Sequence, residues 1–141
     1  MLNLVKARIQ PLFISVGTAV NVQNAIKQPI NQRNCAYVVP VNERPAPSGR
    51  DASVGKPLQE TIITFGVVIG IQSLNDATGE KGLASLEALR ESLRESLFGW
   101  SPSNEHEPVN LSNSDLVGFA ANGMWWLDRF TTTTWYEGTA S

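Results

Sequence analysis

Apolar residues alternate along residues 61–72, which is the clearest strand pattern in the chain. One set of alternating positions is entirely apolar and consists of Ile63, Phe65, Val67, Ile69 and Ile71. The other set is smaller and mixed, and it includes Gly66 and Gly70. Because successive side chains of a strand point to opposite faces, the first set predicts a face that packs on the core. The two glycines predict that another backbone or a helix approaches the second face closely.

Leucines recur every three or four residues between Lys81 and Leu97, and this spacing predicts a long helix. The stripe consists of Leu83, Leu86, Leu89, Leu93 and Leu97. Glu and Arg residues three positions apart lie on the outer face, where such pairs support a helix. Gly99 is a natural residue to end the helix. We expect the leucine stripe to lie on the apolar face of the sheet.

Shorter patterns fill the rest of the chain. Residues 2–12 have the spacing of a short amphipathic helix, residues 13–16 are a candidate strand, and Thr18 is the expected cap of a second short helix ending at Lys27. Residues 35–39 read as a buried strand. Asn122-Gly123 between two apolar runs predicts a hairpin with positive φ at both turn positions. Tryptophans on both faces of the second hairpin strand, at Trp125 and Trp126, predict that both faces are covered.

This order of elements predicts an α+β fold. The expected architecture is a largely antiparallel sheet of about four to five strands, with the leucine-striped helix and the short helices packed on it. The length of 141 residues and mass of 15.4 kDa predict a single domain spanning residues 1–141. Within it, residues 40–57 contain four prolines and two glycines, and we expect a long irregular loop there. That loop also carries Arg44, Arg50 and Lys56.

The chain has few charges, and they are divided unevenly along it. Charged residues make up 17% of the chain, which is below the roughly 25% usual for soluble domains and suggests a surface partly covered by other chains. Residues 1–56 hold seven Lys or Arg against two acids, whereas residues 57–141 hold four against eleven. A basic first part and an acidic remainder can supply complementary patches to copies of the same chain.

Composition also narrows the cellular setting. A single cysteine, Cys35, excludes an intramolecular disulfide framework and a thiolate-rich zinc site. Lys6 and Arg8 interrupt the N-terminal apolar stretch, so no signal peptide is expected. The longest apolar-rich stretch without charge, residues 61–75, is shorter than the roughly 20 residues that cross a membrane. We expect a reducing cytoplasm, or a particle assembled in one, and no membrane.

The motifs that would carry catalysis are incomplete. Residues 49–57 look like a phosphate loop, but five residues separate the glycines and Pro57 follows Lys56 where a Ser or Thr would bind magnesium. His106 is the only histidine, and no Gly-x-Ser-x-Gly elbow accompanies it, which favours a solvated loop histidine. Cys35 precedes an apolar strand and is expected to be a small buried hydrophobe. We therefore predict no enzymatic activity, no cofactor and no metal site.

Four segments together resemble the tail terminator (tail completion) proteins of long-tailed bacteriophages. The segments are residues 37–40 (YVVP), 64–68 (TFGVV), 97–102 (LFGWSP) and 125–132 (WWLDRFTT), together with the Pro/Gly-rich loop. They occur in order over most of the chain, and they are packing motifs, not catalytic ones.

The resemblance implies a structural virion protein of the tail and neck, assembled in the host cytoplasm. Such proteins form a hexameric ring on the tail tube protein, stop its polymerisation and offer a surface to the head-tail connector or stopper protein, and DNA passes through the lumen without sequence-specific binding. We hypothesise that Arg44, Arg50 and Lys56 face a neighbouring subunit, the tube or the lumen. The alternative is that they are solvated on the outside. The competing functions are another phage neck ring, of the head-completion or stopper type, and a small ligand-binding or hydrolytic α+β domain.

Overall fold

The computed structural model describes residues 1–50, 57–73 and 80–138, and within them three helices and five strands. The helices are α1 (Leu2–Ile9), which runs into a short 3-10 turn at Gln10–Leu12, α2 (Val22–Ile26) and α3 (Glu80–Leu97). The strands are β1 (Val16–Thr18), β2 (Asn34–Arg50), β3 (Leu58–Gln72), β4 (Asn110–Ala120) and β5 (Gly123–Glu137).

The five strands form one sheet in the order β1-β2-β3-β5-β4. The short β1 pairs in parallel with β2, and the other three neighbouring pairs are antiparallel. The predicted α+β class and largely antiparallel sheet are therefore confirmed. Because β3 is central, the first third of the chain builds one edge of the sheet and the last third builds the other.

Both faces of the central strand β3 are buried, each in its own apolar cluster. Of the five predicted core positions, Phe65, Val67, Ile69 and Ile71 pack with α1 and α3, on what we call the α1/α3 face. The fifth, Ile63, is half-buried and lies outside this cluster. On the opposite face, which we call the α2 face, Val68 packs with Trp125, Leu127 and Ala25 of α2. The prediction that both faces of the last strand are covered is confirmed as well, since Trp126 packs against the first cluster and Trp125 lies in the second.

The glycines of β3 make room for side chains, whereas the sequence suggested a backbone or a helix. A Cβ atom on Gly66 would lie 2.6 Å from Cδ1 of Leu127, and one on Gly70 would lie 2.7 Å from Cζ3 of Trp125. Both large side chains come from the neighbouring strand β5 and lean across β3. Their volume on the α2 face therefore explains the two glycines.

Helix α3 lies on the sheet, but its buried line is not the five-leucine stripe that the sequence suggested. Leu86, Leu93 and Leu97 are buried, whereas Leu83 is 49% exposed. At the start of the helix it is Gly82 that faces the sheet, since a Cβ there would lie 3.2 Å from Cε of Met124. The residues of α3 that face the core therefore include Gly82, which is four residues before Leu86. Leu83 follows Gly82 by one residue, which turns its side chain about one-quarter turn away from the core.

The short N-terminal elements differ from their predicted bounds. Strand β1 begins at Val16 and contains Thr18, so Thr18 does not cap α2. The cap is Asn21, whose side-chain oxygen accepts a 2.8 Å hydrogen bond from the backbone N–H of Asn24. Asn is as good an N-cap as Thr, and only the position of β1 decides between them.

An irregular loop was predicted for residues 40–57, but residues 40–50 belong to strand β2. Residues 51–56 lie outside the described residues. β1 stops pairing at Val38, and beyond it no described strand pairs with the outer side of β2. Proline lacks an N–H donor but is tolerated on such an edge, which accommodates Pro40, Pro45 and Pro47. The ladder shifts register between Pro40 and Asn42 and again between Pro45 and Gly49.

The predicted hairpin is confirmed, with Ala120 paired to Gly123 across the turn. Its glycine has a different role from the one expected, because the backbone φ of Gly123 is not positive. A Cβ there would lie 2.0 Å from the carbonyl oxygen of Ile71, so glycine is required by the close approach of two strands. Gly99, with φ of 81°, is in the left-handed conformation predicted for the end of α3.

Candidate assembly surfaces

Strands β2, β3 and β5 continue past the region where both faces are covered. We call this three-stranded extension the arm, and define it as residues 40–50, 58–64 and 131–137. Along β3 the burial changes at one point, since residues 65–71 are fully buried and residues 58–64 are half-buried. In β5 the arm ends on Trp135 and Tyr136, which are both exposed. Adjacent strand positions point to opposite faces, so the arm presents one aromatic side chain on each.

Two of the three predicted interface residues, Arg44 and Arg50, belong to a strand of this arm. Arg44 is exposed on the free edge strand, with its backbone in register with Ile62. Arg50 ends β2, with its backbone in register with Leu58. Lys56 lies outside the described residues. The structure thus brings Arg44 and Arg50 onto one strand of the arm, and the hypothesis about what they contact stays a prediction.

The uneven charge along the sequence is reflected in which elements carry each sign. Residues 1–47, which contribute α1, β1, α2 and the outer strand β2, carry five Lys or Arg and one Glu. Residues 80–121, which contribute α3 and the opposite edge strand β4, carry three Lys or Arg and seven Asp or Glu. Four of these seven acids lie on α3, which packs on one face of the sheet and contacts α1, and Asp115 is the acid of the edge strand β4.

A buried ion pair fixes α3 to the sheet beside β4. Asp128 on β5, with a side chain only 2% exposed, accepts hydrogen bonds from Nε and Nη2 of Arg90, the shortest being 2.9 Å. Ser114 of β4 and the indole N–H of Trp126 also donate to this carboxylate, at 2.5 and 3.2 Å. The guanidinium of Arg90 lies 4.6 Å from the centre of the Trp126 ring. The carboxylate is thus fully engaged in holding three elements together.

This cluster was not predicted from the sequence, although the sequence contains a signal for it. Trp126, Asp128 and Phe130 are two residues apart, so their side chains lie on the same face of the predicted strand, and two of the three are large and apolar. A carboxylate there must find a cation and further donors, because an unpaired buried charge is very costly. What the sequence did not specify was the partner, which lies 38 residues away.

His106 belongs to a local hydrogen-bonded loop. Its Nδ1 lies 2.6 Å from Oγ of Ser103, and that oxygen also accepts a hydrogen bond from the backbone N–H of Glu105. The loop is held to β5 by the hydroxyls of Thr132 and Thr134, which donate to backbone carbonyls of the loop. The histidine is half-buried rather than solvated as expected. A surface hollow adjoins it, and its lining includes Trp135 and Glu137.

Cys35 is buried in the cluster on the α2 face. Burial raises the pKa of its thiol above the ordinary value of 9.0, and a hydrogen bond with the backbone of Gly70 opposes this only in part. Since the thiolate is the nucleophile, a raised pKa makes the side chain unreactive. The prediction of a small buried hydrophobe at this position is confirmed.

The buried thiol should make stability fall at alkaline pH. The pKa of Cys35 is higher in the folded than in the unfolded chain, so its contribution is present below the unfolded value and is lost as pH rises towards the folded value. We expect the free energy of unfolding to fall as pH rises past the ordinary thiol pKa of 9.0, and to fall less in Cys35→Ala. Urea unfolding on either side of this pH measures it. An identical pH dependence in the two proteins would contradict the assignment.

Within the ranges that the structure describes, no three His, Cys, Asp or Glu side chains are grouped so as to hold a metal ion. None of the described helices is both long and apolar enough to cross a membrane. The described residues also present the arm and exposed large apolar side chains, which are features of surfaces that contact other proteins.

A comparison with protein-family models identifies the family to which the chain belongs. The family model for the phage tail terminator protein matches residues 2–138, so this chain belongs to the phage tail terminator family. That family consists of structural virion proteins and is not an enzyme family. The chain is accordingly a structural component of the bacteriophage tail that interacts with other tail proteins. A search of curated proteins finds no match.

Proposed function

We propose that this chain, acting as a single domain, forms a hexameric ring that caps the tail tube. The ring ends polymerisation of the tube protein and presents a surface to the head-tail connector or stopper protein. DNA then passes through its lumen without sequence-specific binding, and assembly takes place in the host cytoplasm. Membership of the tail terminator family over residues 2–138 is the observation that carries this proposal.

The division of charge supports a ring. A closed ring of identical subunits uses a head-to-tail contact, in which one patch meets a different patch on the neighbour. Here the elements built from residues 1–47 are net basic and those built from residues 80–121 are net acidic. Opposite charges favour contact between two different surfaces of neighbouring subunits, whereas two surfaces of the same sign repel each other.

The arm is the natural contact with the tube or with a neighbouring subunit. It extends past the covered part of the sheet and ends in exposed aromatic side chains, which are enriched at protein interfaces. Arg44 lies exposed on its free edge. Arg44 is therefore assigned to this contact, and Arg50 and Lys56, which the sequence groups with it, are proposed to act there too by steering binding.

Replacing Arg44, Arg50 and Lys56 together by Ala should weaken capping. Three surface ion pairs at ~0.2–1 kcal/mol each correspond to about a tenfold loss of affinity for tube ends. The measurement is the length distribution of tubes polymerised from purified tail tube protein with increasing amounts of the variant. A matched control removes three positive charges elsewhere, by Ala substitution of Lys81 and Arg94 on α3 and of Arg129 on β5.

The outcome separates the competing functions. Capping, ring formation and head joining equal to wild type in the triple variant would show that the three charges have no role in assembly. Binding of the wild-type protein to filled heads and not to tube ends would identify a head-completion or stopper ring instead. A protein that binds neither, and stays monomeric in the presence of tubes, would contradict the proposed function.

A further inference from the structure

The arm has two strand edges to which a further strand can be added. β2 is its outer strand on one side. β5 is its outer strand on the other side, because β4 pairs with β5 only as far as Thr131. A strand edge carries backbone N–H and C=O groups that act as a template for pairing with another chain. The direction of these groups at each residue therefore decides whether the arm accepts a further strand.

On β2 the pairing with β1 shows which residues point outward, away from β3. Ala36 donates its backbone N–H on the β1 side, and the carbonyl of Val38 accepts a hydrogen bond there, so even-numbered residues point outward. The odd-numbered residues between them point to even-numbered residues of β3. The next outward position after Val38 is Pro40, which has no N–H to offer.

A second proline points outward beyond the first register shift of β2. β3 pairs with β5 without a register shift, so its even-numbered residues point to β2 along its whole length. Arg44 pairs with one of these, Ile62, so the two neighbours of Arg44, which are Glu43 and Pro45, point outward. Of the outward positions Pro40, Glu43 and Pro45, only Glu43 has an N–H. A strand added here would leave its carbonyls opposite both prolines without a donor.

On the other side of the arm, a loop of the same chain covers the edge of β5. Residues 105–107 lie along β5 beyond the end of β4. The N–H of Glu107 donates a 2.8 Å hydrogen bond to the carbonyl of Thr133, and His106 forms an antiparallel bridge with Thr134. Hydroxyls of the threonine run add two hydrogen bonds to carbonyls of this loop. This part of the edge is thus already paired within the chain.

We propose that the outward prolines of β2 and the loop over β5 block strand addition to the arm, so that free copies do not pair their arms through the backbone. A projecting ribbon with open edges is otherwise a site of edge-to-edge association. This role accounts for prolines inside a strand and for a loop bound to a run of threonines. Where the arm makes the contact proposed above, it does so through side chains and not by extending the sheet, and this second part rests on the proposed function.

Restoring the missing donors tests the β2 edge. Pro40→Thr with Pro45→Thr gives every outward position named above an N–H, and each backbone hydrogen bond between chains changes an association constant by roughly two- to tenfold. The variant should therefore self-associate, by sedimentation velocity, at a concentration at least about tenfold below that of the wild type. The amide of Glu43 should become protected from hydrogen exchange in the associated form. The matched control, Pro11→Thr with Pro29→Thr, changes two exposed prolines outside the strands and should leave association unchanged.

The loop is tested by a separate variant. Thr134→Val removes the hydroxyl that donates to the carbonyl of Glu105, and it should speed hydrogen exchange of the Glu107 amide by roughly two- to tenfold. Thr133→Val is the control, because adjacent side chains of a strand point to opposite faces. Equal exchange rates in the two variants would overturn the role of the loop.

The remaining outcomes are equally specific. If the double proline variant keeps the circular dichroism of the wild type but associates no more strongly, or associates without protecting the Glu43 amide, the block on β2 is wrong. The single variant Pro45→Thr gives the same comparison if the double variant does not fold. In the wild type, the Glu43 amide should exchange at similar rates in free chains and on capped tubes, and strong protection on tubes would overturn the second part. If the wild type does not cap tubes, the proposed function fails, while the comparison of free variants stands.

Discussion

Replacing Arg90 by Met should destabilise the fold by about 3–5 kcal/mol, because it leaves Asp128 buried without its cation. The carboxylate would keep the hydrogen bonds from Ser114 and Trp126. Those neutral donors do not offset the loss of a paired charge in a site that is 2% exposed. Urea unfolding followed by tryptophan fluorescence, at concentrations where the protein is monomeric, measures the change.

Two further variants test whether the loss of stability comes from the ion pair between Arg90 and Asp128. Arg94 lies one turn further along α3, 4.0 Å from Asp128, with a side chain 43% exposed. Arg94→Met should therefore cost less than about 1 kcal/mol. The double variant Arg90→Met with Asp128→Leu should recover a large part of the stability, since an apolar pair can replace a buried ion pair. A double variant as unstable as the sum of both single ones would contradict the account.

Leu93→Ala should cost about 2–5 kcal/mol, because Leu93 is fully buried between α3 and the sheet and its removal leaves a cavity. Leu83→Ala is the matched control on the same helix and with the same change of side chain. Since Leu83 is largely exposed, its replacement should change the free energy of unfolding by less than about 0.5 kcal/mol.

Thermal unfolding of the monomer also distinguishes the two leucines. Leu83→Ala should leave the midpoint near that of wild type, whereas Leu93→Ala should lower it. Similar destabilisation by Leu83→Ala and Leu93→Ala would mean that both leucines belong to the core in solution, contrary to the structure.

The parts of the fold that depend on local pattern were predictable. The alternation along residues 61–72 predicted β3 and its core face, and the Asn122-Gly123 turn predicted the hairpin of β4 and β5. Gly99 predicted the end of α3. These features follow from the period of a strand, the period of a helix and turn chemistry, all of which act over a few neighbouring residues.

Other positions were decided by partners distant in sequence. Pro40, Pro45 and Pro47 suggested a loop, but an edge strand accepts them because one of its sides has no strand to pair with. Leu83 fits the leucine stripe, but the packing of Gly82 against Met124 turned it towards solvent. Arg44 and Arg50 were predicted as contact residues, and the structure places them on the arm without deciding what they contact.

The sequence by itself determined the elements of this protein, its lack of complete catalytic motifs, its resemblance to tail terminators and the uneven division of its charges. Only the tertiary structure decided where these charges lie, since it packs the acidic α3 on one face of the sheet beside α1. It alone paired Asp128 with Arg90 and left Phe119 exposed on the edge strand β4. Such relations arise from packing between segments far apart in the chain, and a local pattern of side chains does not encode them.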